Sequence, residues 1–279
     1  MTSTPSFDTR RFKDQERRGF NRIATAYADG AGARAALAQA LLDAAALAPG
    51  LRVLDLASGP CLLAREAAGR VAPDGLVVAS DLAEGMLAEG ARRAAESQRP
   101  VCVAADAERL CLPDGGFDRV LAGLALFLFP HPERALAEAR RVLRPGGRLV
   151  LSVWGARGEV PLIECALACL ARVLPPPRVA RPSVQRYGDA AVLHDTLAAA
   201  GFHGVELLPC EFTCRFADAA AYWNAFLSLA GGAAEALAQH PADVHARLAA
   251  EAAHELAPYR DAGGGYSVPA RTLIASARR

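Results

Sequence analysis

Three aspartates stand at the carboxyl ends of three apolar runs: Asp55 in L-R-V-L-D-L, Asp81 in L-V-V-A-S-D and Asp106 in V-C-V-A-A-D. Read as parallel strands, these runs set the carboxylates along one rim, where a ligand lying along the rim meets all three. A carboxylate after the second strand can accept both hydroxyls of a ribose, and one after the third can accept an adenine's exocyclic amine. The first run passes into A-S-G-P-C, residues 57–61. Gly59 lets the backbone approach a ligand with no Cβ in the way, and Pro60 suits the first turn of a helix, where its missing N–H leaves no bond unmade. The free N–H groups of that helix start face the crevice in which open α/β sheets bind nucleotide-like ligands. Any one of these acids alone reads equally well as a turn or helix cap. Three in register with the glycine turn imply an adenosine carrying a further group over Gly59.

Those positions require strands alternating with helices. Apolar runs predict strands over 51–56, 76–81, 101–106, 117–123 and 148–154, and helical periodicity predicts helices over 61–71, 83–96 and 132–143. Strands separated by ten to fifteen helical residues mean right-handed crossovers and a doubly wound parallel sheet. Upstream, amphipathic patterns over 20–27 and 36–47 predict two helices broken around 30–32. The Arg-rich start carries Arg10, Arg11, Lys13, Arg17 and Arg18 interleaved with Asp14 and Glu16, which reads as a solvated helix. Downstream come a helix over 160–174 ended by prolines 175–177, a helix over 190–200, a turn and strand over 201–208, and two or three helices over 217–257. A final strand follows, with Pro269 near an edge or bulge.

Composition narrows the class. With 279 residues, 52% hydrophobic and 22% charged, the chain can bury one α/β core with an elaboration, or two lobes. Its 31 basic and 30 acidic residues leave a net charge of +1, so no global field recruits nucleic acid or an anionic membrane. The start, M-T-S-T-P-S-F-D, has no apolar core of a signal peptide, and no run reaches the ~18 apolar residues of a membrane span. A cytoplasmic enzyme with neither nucleic-acid nor membrane partners is expected. Seven cysteines include no C-x-x-C pair, and Cys165/Cys169 and Cys210/Cys214 lack the company of a zinc site. Buried free thiols and no metal are expected.

The segments V-L-D-L-A-S-G-P-C, V-V-A-S-D-L-A-E-G-M-L, A-A-D-A-E-R-L-C-L-P-D-G-G-F-D and A-R-R-V-L-R-P-G-G-R-L-V-L-S-V-W, in this order and spacing, resemble the class I S-adenosylmethionine-dependent methyltransferases. The nearest branch includes the ubiquinone/menaquinone C-methyltransferases, and the likeness covers about 20–154. It implies a doubly wound, seven-stranded, mostly parallel sheet whose last strand is antiparallel. N-terminal cap helices would occupy 1–47, and the cofactor-binding domain 48–279, with lid insertions at about 155–187 and 217–259. It implies S-adenosyl-L-methionine as co-substrate, with Asp55 and Gly59 on the methionine side and Ala57 in the same turn. Asp81 would take the ribose, Leu82 or Met86 would pack on the adenine, Asp106 with Ala107 would meet its edge, and Tyr27 would close over the cofactor. The family reads G-x-G-x-G where this chain has Ala57, Gly59 and Cys61, so Cys61 puts a side chain where close packing or cofactor approach is normal.

The acceptor leaves fewer marks. Methyl transfer is an in-line displacement that depends on positioning, and some acceptors also need a base. His131 follows the fourth strand, whose end borders the methyl in the resembled fold; alternatively, it merely precedes a Pro-led helix. Phe127, Trp154 and Trp223, with Phe129, Tyr222 and Phe226, suit the walls of a pocket for a flat apolar molecule, although Trp223 and Phe226 fit core packing equally well. The expected activity is methylation of oxygen, nitrogen or carbon on a small, mostly apolar or aromatic acceptor by a monomer or homodimer. Three rivals remain. A nicotinamide-dependent oxidoreductase wants G-x-G-x-x-G, and an arsenite methyltransferase wants a thiol near the fourth strand, where Gly123 and Leu124 stand. A catalytically silent fold that binds the cofactor or its product as a partner module is favoured by Cys61 and the missing glycines.

Overall fold

Val53, Leu54 and Leu56 are all 3% exposed or less, so the first strand, β1 (Arg52–Leu56), is covered on both faces. The computed structural model, which describes residues 7–175 and 181–279, places it inside a seven-stranded sheet. The other strands are β2 (Leu76–Asp81), β3 (Val101–Ala104), β4 (Phe117–Gly123), β5 (Leu143–Trp154), β6 (His203–Phe216) and β7 (Tyr266–Arg278). Their spatial order is β3-β2-β1-β4-β5-β7-β6. The first five strands pair in parallel, while β7 runs antiparallel to both β5 and β6. This is the doubly wound sheet with an antiparallel last strand that the sequence predicts.

Helices α3 (Leu62–Val71), α4 (Glu84–Arg93), α5 (Pro132–Val142) and α7 (Ala190–Ala199) connect successive strands. Alternation along the strands divides the core in two. Leu54, Leu56, Val120 and Leu149 join the larger cluster, whereas Val53, Val77, Leu121 and Val150 pack with α3 and the N-terminal helix α2 (Ala35–Ala44).

The remaining helices gather at the rim where the parallel strands end. They are α1 (Thr9–Asp29), α6 (Pro161–Val173), α8 (Ala219–Leu229), α9 (Gly231–Leu237) and α10 (Ala242–Glu255). Helix α1 meets α9 backbone to backbone: a Cβ built on Gly19 would collide with the Gly231 carbonyl oxygen. Among the described residues, no helix is long and apolar enough to cross a membrane, and no cluster of His, Cys, Asp or Glu could hold a metal.

Several expectations are corrected. The Arg-rich start is helical with Arg10, Arg11, Asp14, Arg17 and Arg18 exposed, as expected, but α1 runs unbroken from it through 20–27 and buries Phe12 and Glu16. β3 stops at Ala104, leaving Asp106 two residues beyond it in a bridge with Arg109. β6 extends eight residues past the predicted end at 208, because it pairs with β7 along its whole length at the sheet edge, where exposure of both faces erases the apolar alternation. Pro269 sits in β7, an interior strand, but beyond the last β5 pair at Thr272, where β7 has one neighbour only. Prolines 176 and 177 and the first six residues, with the expectations attached to them, lie outside the described residues. Cys102 and Cys111 are exposed; Cys61, Cys165, Cys169 and Cys214 are the buried free thiols.

Candidate active site

The turn after β1 takes its shape from three left-handed residues, at φ +53° for Ala57, +54° for Gly59 and +58° for Cys61. These are the three positions at which the resembled family carries glycine. Left-handed backbone crowds a Cβ against the following carbonyl, at roughly 1–2 kcal/mol for an L-residue, which accounts for the glycine pattern. This chain tolerates the conformation twice without glycine. A Cβ on Gly59 would meet nothing nearer than Tyr27 Cε1 at 3.7 Å, so the space over the turn is bounded by the Tyr27 ring.

The Cys61 side chain is not directed at that space. It is fully buried, and a Cβ on Gly90 of α4 would lie 2.6 Å from its Sγ. Gly90 therefore makes the room for Cys61, and the thiol fills the gap between α3 and α4 instead of crowding the cleft.

Asp81 ends β2 and organises the turn. Its Oδ2 accepts the Gly59 N–H at 2.8 Å, and its Oδ1 accepts the Ala83 N–H at 2.8 Å. Burial raises its pKa, with those backbone donors pulling the other way. Asp106 accepts the Glu108 N–H at 3.0 Å and Lys13 Nζ at 2.7 Å, and the same Nζ lies 2.7 Å from Glu108. Glu108 also accepts the His131 N–H at 2.8 Å. Lys13, on α1, is the only lysine in the chain, and it ties that helix to Asp106 and Glu108.

A cleft of about 100 Å³ runs along this rim. Its walls include Ala57, Gly59, Asp81, Leu82, Met86, Asp106 and Ala107, closed from above by Lys13, Phe20 and Tyr27 of α1. Asp55 is not on that wall. It points with Val53 to the α3 side of the sheet, fully buried, and neither carboxylate oxygen has a hydrogen-bond partner among the described residues. Burial pushes its pKa up to about 8, against the pull of the nearby Ala64 backbone N–H, and the Asp81 charge adds to the rise. The rim thus presents two carboxylates, with a third recessed behind the turn. An open turn at Gly59 and two acids at the rim suit an adenosine ligand such as S-adenosylmethionine.

Beyond the cleft opens a cavity of about 1060 Å³. Phe127, Trp154, Leu162, Tyr222 and Phe226 give it an apolar wall, and α1, α6, α8 and α9 enclose it. Glu16, Phe20, Tyr27, Leu124 and Leu128 line both spaces, so the two meet across the Tyr27 ring.

Besides Asp55, two sequence candidates fall outside both spaces. Trp223 lies behind the wall, stacked on Phe226 with centroids 5.5 Å apart, and takes the core role that its spacing allowed. His131 lines neither space: it precedes α5, with Nε2 3.3 Å from Thr9 Oγ1 and Nδ1 3.5 Å from Glu133. The Pro-led helix explains it, and no base role is carried forward. Sequence reasoning passed over Lys13, Phe20, Leu124, Leu128 and Arg34. The recurrence of residues 13, 16, 20 and 27 on one face of α1 was the available signal for the first two.

Comparison with known proteins agrees with this arrangement. The family described as "Methyltransferase domain" matches residues 54–151. The ubiquinone/menaquinone biosynthesis C-methyltransferase UbiE of Bordetella parapertussis is 46% identical over 108 residues, which is 38% of this chain and 42% of that protein. The chain thus matches under half the length of that relative. The demethylmenaquinone methyltransferase of Mycolicibacterium paratuberculosis is 36% identical over 180 residues, 60% of this chain and 74% of that one. Among solved structures, the YcgJ protein of Bacillus subtilis superposes with a TM-score of 0.59 at 19% identity, covering 87% of this chain and 97% of its own, a likeness of fold. With a relative of that identity matched over about three quarters of its length, and with the sheet order and glycine-turn geometry described above, the chain belongs to the class I S-adenosylmethionine-dependent methyltransferase family.

Proposed function

We propose that this protein transfers the methyl group of S-adenosylmethionine to a small, flat, mostly apolar acceptor held in the larger cavity. The observation that carries the reading is the shared wall: Tyr27, Phe20, Leu124 and Leu128 border both the rim cleft and the cavity, so a donor in one abuts an acceptor in the other. In this reading Ala57 and Gly59 hold the methionine side, with Asp55 recessed beneath their turn, Asp81 the ribose, Leu82 and Met86 the adenine faces, and Asp106 with Ala107 its edge. The bound sulfonium supplies an electrophilic methyl group. The protein supplies alignment, which alone can account for ~7–11 kcal/mol of such a barrier, and the exclusion of water by α1 and the lid helices.

The relatives' names contain ubiquinone and menaquinone, so a quinone-type ring is the first acceptor to test, and the apolar wall around Phe127 and Trp154 suits one. The reading as a silent fold drew on Cys61, whose thiol packs against Gly90 and takes no room from the cleft.

The experiment is transfer of an isotope-labelled methyl group to a panel of hydroquinones, phenols and heterocyclic amines, beside calorimetry with S-adenosylhomocysteine. Binding of S-adenosylhomocysteine with labelled product from at least one flat acceptor is expected. Binding of a nicotinamide dinucleotide in its place, or cofactor binding with no acceptor labelled, refutes the proposal.

A further inference from the structure

Arg34 closes the short 3-10 turn Gly30–Arg34 after α1 and lines the larger cavity, although only 8% of its surface is exposed. A guanidinium stays charged in any protein and carries five N–H donors. Here one donor is used: Nη2 gives a hydrogen bond to Tyr27 O at 3.0 Å. Nη1 is sealed from solvent without a partner, and no carboxylate lies within ion-pair distance among the described residues. The Tyr27 ring covers one face of the cation, 3.9 Å from Cζ to centroid, and leaves Nη1 unmatched.

A buried cation with neither an anion nor a full set of acceptors is strongly unfavourable, so such sites are completed by a counter-charge. None is offered among the described residues. The other charged groups on the cavity wall are already paired or open to solvent: Glu16 with Arg181, Glu235 with Arg22, Arg18 with Asp14, and exposed Arg11. His240 lies on the same wall, half-buried. Cys214 faces Arg34, but burial pushes its thiol up against the pull of the guanidinium, so it remains a neutral neighbour. Tyr27 is also the ring that stands over Gly59, which puts the unmatched cation beside the junction of cleft and cavity.

We infer that Arg34 is an oxyanion-recognising residue of the acceptor cavity, and that the preferred acceptor presents an ionised ring oxygen, a phenolate or enolate, to its guanidinium. This rests on the reading of the cavity as the acceptor site. An acceptor held in that form has already given its proton to solvent, and its oxygen, or the ring carbon conjugated to it, is electron-rich where methyl transfer requires it.

The test uses 4-nitrophenol, whose absorbance reports its ionisation, and nitrobenzene as a neutral analogue; both quench the fluorescence of Trp154 on the cavity wall, and a Trp154→Phe control assigns the signal. Wild-type protein should bind 4-nitrophenol as the phenolate, with its ionisation midpoint shifted to lower pH. Arg34→Gln should abolish that shift and weaken nitrophenolate binding by about tenfold or more while leaving nitrobenzene unchanged, and Arg34→Lys should restore part of it. Retained nitrobenzene binding shows that the variant is folded. If Arg34→Gln binds both probes as wild type does, or if wild type takes nitrobenzene and not the phenolate, the inference is overturned and the cavity reading stands. If neither probe reaches Trp154 in wild type, both fall.

Discussion

Replacing Asp55 by asparagine tests the recessed carboxyl directly. In the folded protein burial holds this group's pKa at about 8 against an ordinary 3.8, so the native state binds the proton more tightly than the unfolded chain. Stability then falls as pH rises from near 4, and the loss is complete above about 8. At about 1.4 kcal/mol per pH unit, the full penalty is on the order of 6 kcal/mol, of which about 4 kcal/mol develops between pH 5 and pH 8. Asp55→Asn keeps the shape and removes the titration. Its amide adds a constant contribution, so the diagnostic quantity is the change with pH of the difference between variant and wild type, in which all other titrating groups cancel. Urea unfolding at pH 5, 6.5 and 8 should show the variant gaining on wild type by roughly 3–4 kcal/mol across that range, or about 2–4 °C of Tm per kcal/mol for a chain this size. A difference that stays flat with pH would mean that Asp55 is ionised in the native state, and the desolvation argument fails.

Asp81→Ala removes the acceptor for the Gly59 and Ala83 N–H groups and the proposed ribose contact, and calorimetry should show S-adenosylhomocysteine bound about ten- to a hundredfold more weakly. Lys13→Met breaks the tie from α1 to Asp106 and Glu108; with these groups partly exposed, an effect of about 1–2 kcal/mol is expected in low salt, shrinking in high salt, and hydrogen exchange should rise in α1 before the sheet. Ala57→Gly relieves a left-handed residue and should stabilise the fold by up to about 1 kcal/mol in thermal denaturation without weakening cofactor binding. Gly90→Ala drives a Cβ against Cys61 Sγ and the Pro60 carbonyl carbon, so a clear loss of stability is expected, only partly recovered by adding Cys61→Gly, because the backbone contact at 2.8 Å remains.

The inner strands were legible because β1, β2, β4 and the second half of β5 are buried on both faces and therefore read as apolar runs; the predicted limits of β2 and β4 match the structure residue for residue. The rim acids were legible as positions but not as directions. Asp55 alternates with Leu54 and Leu56 and so shares the face of Val53, which turns it towards α3 while Asp81, at the very end of its strand, is free to cap the turn. Cys61 shows the same limit in another form. Its conformation follows from the glycine pattern, whereas the direction of its thiol depends on Gly90, 29 residues away on the next crossover helix.

The acceptor cavity was least legible because no contiguous stretch encodes it. Its walls come from α1 and the turn ending at Arg34, from Leu124 to Trp154 around the fourth and fifth strands, and from the helices that follow β5 and β6. An apolar stripe on α6, with Leu162, Ile163, Leu167 and Leu170, reads in sequence as any helix facing a core. What separates cavity from core is that α1 is held off the sheet by polar ties at its flanks, Lys13 to Asp106, Arg22 to Glu235 and Glu16 to Arg181, so that its apolar face spans a gap instead of closing it. Those ties join residues between about 90 and 210 positions apart. The same ties bear on the proposed function: they seat Tyr27 between the rim cleft and the larger cavity, so that in this reading the helix over the cofactor also forms the wall against which the acceptor is aligned.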